Sequence, residues 1–125
     1  MPWRTAKRRY TPADDGLVQP WRGRVWLNPP YGREVDAWLS KMAHHGDGIA
    51  LTFARTETAF WHDSIWPAAA AILFLRGRLH FHDIEGIRAG ANAGAPSALI
   101  AYGQRNVESL RRSGIKGKLI ILPIE

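Results

Sequence analysis

The stretch Val25-Trp26-Leu27-Asn28-Pro29-Pro30-Tyr31-Gly32 decides how the rest of the chain is read. A short apolar run breaks into Asn-Pro-Pro-Tyr and leads into a segment with helical spacing. So brief a run suits a buried strand better than a helix, and two consecutive prolines can continue neither element. Asn28 is therefore expected at a strand end. Pro29 and Pro30 have fixed φ and no backbone N–H, which makes the loop stiff and leaves its carbonyls open to a ligand.

Working outward, Val35, Trp38, Leu39 and Met42 fall at i, i+3, i+4 and i+7, the spacing of one apolar helix face, and His44-His45-Gly46-Asp47-Gly48 ends that helix. Gly48-Ile49-Ala50-Leu51-Thr52-Phe53 reads as a second buried strand, and residues 56–66 as a short helix stopped by Pro67. Strand, helix, strand, helix predicts a parallel, right-handed crossover and a sheet covered on both faces. Ala71-Ile72-Leu73-Phe74-Leu75 is a third strand, expected to continue through Arg76-Gly77-Arg78 into Leu79-His80-Phe81. Residues 86–96 have too little bulk to pack and read as a loop. Ser97-Ala98-Leu99-Ile100-Ala101-Tyr102 returns as a fourth strand, antiparallel to the third. Residues 107–112 read as a short helix and 118–124 as a terminal edge strand. The fold class is α/β with a mixed sheet. Residues 1–24, basic and punctuated by Pro and Gly, form an arm, and residues 25–125 form a single domain. The arm's Arg and Lys suit phosphate contact and a solvated tail equally.

The 125 residues include 17 Lys and Arg against 11 Asp and Glu, a net charge of +6, as expected of a phosphate-binding surface. Charge alone does not choose between DNA, RNA and acidic partners. The chain has no cysteine, and no segment approaches the roughly 18 uninterrupted apolar residues of a membrane span. Its opening Met1-Pro2-Trp3-Arg4 has no apolar leader, so the expected location is cytoplasmic, with no membrane partner.

An Asn side-chain oxygen and an adjacent unpaired carbonyl are both acceptors, and held rigidly they can bind the two hydrogens of one exocyclic amine. In an aromatic amine such as adenine's, the nitrogen lone pair is delocalised into the ring. Accepting both N–H bonds lets the nitrogen pyramidalise and stabilises positive charge that develops during attack. Tyr31 supplies a face for base stacking, worth roughly 1–3 kcal/mol. No strong general base is needed, because the proton becomes acidic once the nitrogen is alkylated.

Asn28 to Tyr31 resembles the amino-methyltransferase signature at the end of a strand of a Rossmann-like, AdoMet-binding sheet. Thr11 to Leu17, Trp21, Asn28 to Gly32, Trp38, Arg55-Thr56-Glu57-Thr58 with Trp61-His62, Gly77-Arg78-Leu79 with Phe81, and Ala95 to Leu99 extend the likeness. Together they resemble the phage-type DNA N6-adenine methyltransferase (Dam) family, over roughly residues 5–103. The resemblance implies methyl transfer from S-adenosyl-L-methionine (AdoMet) to the N6 amine of adenine in DNA, in a family commonly encoded by phages and prophages. It implies catalytic roles for Asn28, Pro29, Pro30 and Tyr31 and assigns no cofactor-binding residues. An upstream Asp-Pro-Ala-like strand end of the family is not found here, nor is a Gly-x-Gly turn before Asn28. A partial architecture is therefore expected. Its alternatives are a truncated, inactive DNA-binding remnant, or a homo-oligomer whose partner chain supplies the absent half-sheet. A further alternative, methylation of protein glutamine, fits the basic surface less well.

Arg55, at the end of the second strand, is a candidate for contact with DNA, and so are Arg76 and Arg78, which flank Gly77. Trp61 and Trp66 are read as core. His80, His82 and Asp83 lack a third well-spaced histidine or a cysteine, so no metal is assigned. His62, Asp63 and Ser64 are sequence neighbours and do not form a triad.

Overall fold

The computed structural model describes residues 17, 20–29, 34–77, 80–82, 88–92 and 96–123. In chain order the elements are β1 (Val25–Leu27), α1 (Val35–His45), β2 (Gly48–Phe53), a π-helical turn (Trp61–Ile65), β3 (Ala71–Leu75), β4 (His80–His82), β5 (Arg88–Asn92), β6 (Ser97–Tyr102), α2 (Gln104–Arg111) and β7 (Gly117–Ile121). Five strands form one mixed sheet in the order β1-β2-β6-β3-β7, and β4 and β5 pair separately. β1 and β2 are parallel, while β6 runs antiparallel to both β2 and β3, and β7 antiparallel to β3. The carboxyl ends of β1, β2 and β3 therefore share one rim of the sheet with the amino ends of β6 and β7.

The crossover between β1 and β2 is α1, and its sequence explains both its face and its end. Val35, Leu39 and Met42 are buried on the helical stripe, with Trp38 packed at its margin. Gly46 at φ 76° takes the left-handed conformation that stops the helix, its amide donating to the Met42 carbonyl at 2.8 Å. Two residues later the chain re-enters the sheet at Gly48, where a β-carbon would sit 2.3 Å from the Val25 carbonyl oxygen and 2.8 Å from Met42 Cε. Only glycine lets β1, β2 and α1 meet this closely.

Apolar side chains separate onto the two sheet faces by the period of 2 along each strand. On one face Ala50, Ile72, Ala98, Ile100 and Tyr102 pack with Leu39 and Met42 of α1 and with Trp61 and Ile65. On the other, Ala71, Leu73, Leu99 and Ala101 pack with Val107 and Leu110 of α2. The sheet is thus covered on both faces, as the alternation of strands and helices predicts. Trp21 joins the first core, its ring 6.3 Å from that of Trp38 and nearly parallel to it, with Lys41 Nζ 4.8 Å from its centroid. His45 bonds the Gly23 carbonyl through Nε2 at 2.6 Å, so the segment before β1 lies along α1.

Some expectations need correction. The helix over residues 56–66 is wound as a π-turn from Trp61, with Trp66 N–H donating to the Trp61 carbonyl at 2.9 Å. That wider register buries Trp61, Ser64 and Ile65 together and leaves Trp66 38% exposed, so only one of the two tryptophans is core. The third strand stops at Leu75, because Gly77 turns the chain at φ 77°, and His80 begins a different sheet. Part of the expected loop over 86–96 is strand: Arg88–Asn92 pairs antiparallel with β4, since backbone pairing does not require bulky side chains. The last helix begins at Gln104, earlier than its apolar residues suggest, because polar Asn106 holds its first turn. Fully buried Asn106 donates through Nδ2 to the Tyr102 carbonyl and to Asp47 Oδ1, both at 2.7 Å. Arg105 completes the tie with hydrogen bonds to both Asp47 oxygens. No helix of the described residues is long and apolar enough to cross a membrane.

Gly48→Ala should therefore destabilise the fold by roughly 1–3 kcal/mol, since the rigid Val25 carbonyl cannot retreat without moving β1. A shift of the urea midpoint at constant slope measures it. Hydrogen bonds from Arg105, aided by Asn106 and opposed by burial, hold the Asp47 carboxyl below its ordinary range. Its folded pKa lies below its unfolded value, so this contribution to stability is present above the unfolded pKa and is lost as pH falls through the folded one. Melting curves of the parent and Asp47→Asn should differ at neutral pH and converge in acid.

Candidate functional site

Asn28 is the first residue beyond the last β1–β2 pair, Leu27 with Ala50. Leu27 is buried, Asn28 exposed and Pro29 buried again, so the chain dips back into the fold directly after the asparagine. Proline suits that position because it carries no N–H to leave unpaired. Asn28 has no hydrogen-bond partner among the described residues. Pro30 and Tyr31, expected beside it, lie outside the described residues, as does Arg78.

The edge on which Asn28 stands is open among the described residues. Val25 turns its backbone toward β2, its amide donating to the Asp47 carbonyl at 3.1 Å, and the strand's alternation sends the N–H and C=O of Trp26 the other way. The Trp26 side chain is 50% exposed. A strand end with an outward asparagine, an outward backbone edge and a half-exposed indole offers both hydrogen-bonding and stacking groups to a flat polar ligand.

Arg55 lies on the same rim, after β2. Its carbonyl accepts from the Thr58 amide at 3.0 Å and from Thr58 Oγ1 at 2.7 Å, which fixes the turn and starts the helical segment. The Ala54 amide donates to the Pro96 carbonyl at 2.7 Å, and Trp61 Nε1 to the Phe53 carbonyl at 2.9 Å. The exposed Arg55 guanidinium stands 5.9 Å from the Phe53 ring centroid. Arg76, also exposed, follows β3 on this rim, its amide donating to the Lys116 carbonyl at 3.0 Å. Neighbouring strands lie about 4.8 Å apart, so three steps put the Arg76 end about 14 Å from the Asn28 end. Asn28, Arg55 and Arg76 thus share a rim without touching: a polar corner at one end and cations spaced along the sheet.

Sequence reading passed over two further groups near this rim. Thr52 and Ser97 are buried at the carboxyl end of β2 and the amino end of β6, and neither hydroxyl has a hydrogen-bond partner among the described residues. A threonine inside an apolar strand run was the available signal. Lys116 and Lys118 were missed as well, because a terminal edge strand carries no motif.

One cavity of about 750 Å³ lies between β3, α2 and β7, with Arg76 and Lys116 in its wall. It is at the far edge of the sheet from Asn28.

A family model described as DNA N-6-adenine-methyltransferase (Dam) matches residues 4–115, most of the chain and all of the strands and helices except β7. No curated protein and no solved structure matches it. The match runs through β1, Asn28, Arg55 and Arg76, the elements that build the rim. The chain belongs to the DNA N-6-adenine-methyltransferase (Dam) family.

Proposed function

We propose that this chain methylates the N6 amine of adenine in DNA on a Rossmann-like framework, with the rim at the carboxyl end of β1 as its substrate site. The observation that carries the reading is Asn28: exposed, without a partner among the described residues, and directly beyond the last paired residue of β1. In open α/β sheets, ligands sit at the carboxyl ends of the strands. Family membership supplies the class of reaction and the DNA substrate.

In this reading Asn28 Oδ1 and the Pro29 carbonyl accept the two N–H bonds of the adenine amine. The nitrogen can then pyramidalise, so that its lone pair is no longer delocalised into the ring, and the same two acceptors stabilise the positive charge that develops on the nitrogen. Pro30 limits the motion of the carbonyl, and Tyr31 stacks on the extruded base. Arg55, Arg76 and Arg78 contact the DNA. The surplus proton leaves to water after alkylation, so no side chain need be a strong base.

AdoMet is the methyl donor that the family implies, and it supplies an electrophilic methyl group. The cavity between β3, α2 and β7 does not fit that role: a donor there would lie about 14 Å or more from Asn28, across three strand steps. No described residue is assigned to the donor.

With labelled AdoMet, the purified chain should transfer label to adenine in DNA. Asn28→Ala should lower kcat by about 10²–10³, the range for loss of one group that stabilises transition-state charge, while DNA binding persists. An absence of label on adenine at saturating AdoMet and DNA would overturn the reading.

A further inference from the structure

The far end of the rim holds a concentration of positive charge that the amine chemistry does not use. Arg76, Arg111, Lys116 and Lys118 are all exposed and all line the cavity between β3, α2 and β7. The backbone holds them together. Arg76 and Lys116 are joined by a main-chain hydrogen bond of 3.0 Å, and Lys118 lies directly across the β3–β7 ladder from Phe74. Gly117, between the lysines, could not be replaced by a larger residue: a β-carbon there would stand 2.2 Å from the Phe74 carbonyl oxygen. The strands are therefore pressed together beside the residues that carry these charges. Arg111 has a carboxylate neighbour, Glu108 Oε1 at 3.6 Å from its Nε. Among the described residues Arg76, Lys116 and Lys118 have none.

Like charges on paired strands repel, and an arrangement that keeps them adjacent without a carboxylate between them is relieved by an external anion. The cationic part of the cavity wall is exposed, above buried Leu73 and Leu110, which suits an extended polyanion lying across it better than a small enclosed ligand. The geometry gives the polyanion a direction. Four strand steps of about 4.8 Å separate β1 from β7, a span of about 19 Å along the rim. With phosphates rising about 3.4 Å per base along one strand of a duplex, that is about five or six base pairs. Lys116 and Lys118 also lie beyond residues 4–115, the part the family model matches.

We propose that Lys116 and Lys118, with Arg76 and Arg111, form a phosphate-binding end of the rim that holds the DNA backbone about half a helical turn from the base presented to Asn28. The placement relative to the base rests on the proposed function; the phosphate contact does not. Lysine on an edge strand also discourages strand addition, but that role does not account for Arg76 and Arg111, which lie off β7 and converge on the same cavity.

The test is the salt dependence of binding to a fluorescein-labelled, mixed-sequence DNA duplex, measured by anisotropy for the parent, the double variant Lys116→Gln/Lys118→Gln, and Arg24→Gln. Arg24 is exposed at the amino end of β1, on the opposite rim. Removal of one lysine–phosphate pairing should lower the slope of log K against log salt by about 0.9, so the double variant should lose about 1.8 and bind more than tenfold more weakly at about 0.1 M salt. Arg24→Gln should change the slope by much less per charge removed. An unchanged slope in the double variant, an equal loss per charge in Arg24→Gln, or a parent that does not bind DNA would each overturn the proposal. Circular dichroism confirms that the variants are folded. Because methyl transfer plays no part in the readout, a parent that binds through this rim without methylating defeats the role of Asn28 and leaves the phosphate-binding end standing. A parent that methylates while the double variant keeps its slope does the reverse.

Discussion

The close approach of the Val25 carbonyl to Gly48 is the constraint on which the rest depends. It brings a three-residue strand against a six-residue one and lets Met42 of the intervening helix reach the same point. A strand as short as β1 has little pairing of its own to fix its register. Here register comes from the turn, because Gly46 stops the helix and the Asp47 carbonyl takes the first β1 amide. Asp47 in turn is gripped by Arg105 and Asn106 from the start of α2, so the helix on the other face of the sheet helps determine where β1 begins. The position of Asn28 follows from that series of interactions.

Much of this was legible in the residues. Val35, Trp38, Leu39 and Met42 announced α1 through their spacing, and Gly46 its end; the runs 48–53 and 97–102 are strands with the bounds that the structure has, and the run from Ala71 is a strand that ends at Leu75, before the expected continuation. Legibility failed where the controlling interaction is not periodic. Nothing apolar marks the first turn of α2, which hangs on Asn106 bonding back to Tyr102 and across to Asp47, 59 positions away. The π-turn depends on how Trp61 and Ile65 pack beneath the sheet, a tertiary demand that local spacing does not encode. Arg88–Asn92 lacks the bulk on which a strand is ordinarily recognised.

The Asn28 corner was the most legible part of the candidate site, because two prolines after an asparagine have few structural uses. The cations were harder. Arg55, Arg76 and Lys116 are far apart in sequence and become neighbours along one rim only through a strand order in which β6 is inserted between β2 and β3. Arginine and lysine follow no period, and no spacing rule would have grouped them. The orphan hydroxyls of Thr52 and Ser97 are of the same kind: their significance is burial, which a residue name does not carry.

All six residues of β6 are buried, and β6 alone in the sheet is flanked by strands that are themselves flanked. Its amides are those that only global unfolding would release, whereas β1 and β7 can open from the margins at far lower free energy. Both ends of the rim that are proposed to meet DNA are thus set on the outer strands of the five-stranded sheet, around a centre paired on both sides. Local opening at either edge would leave the pairing of the central strand intact.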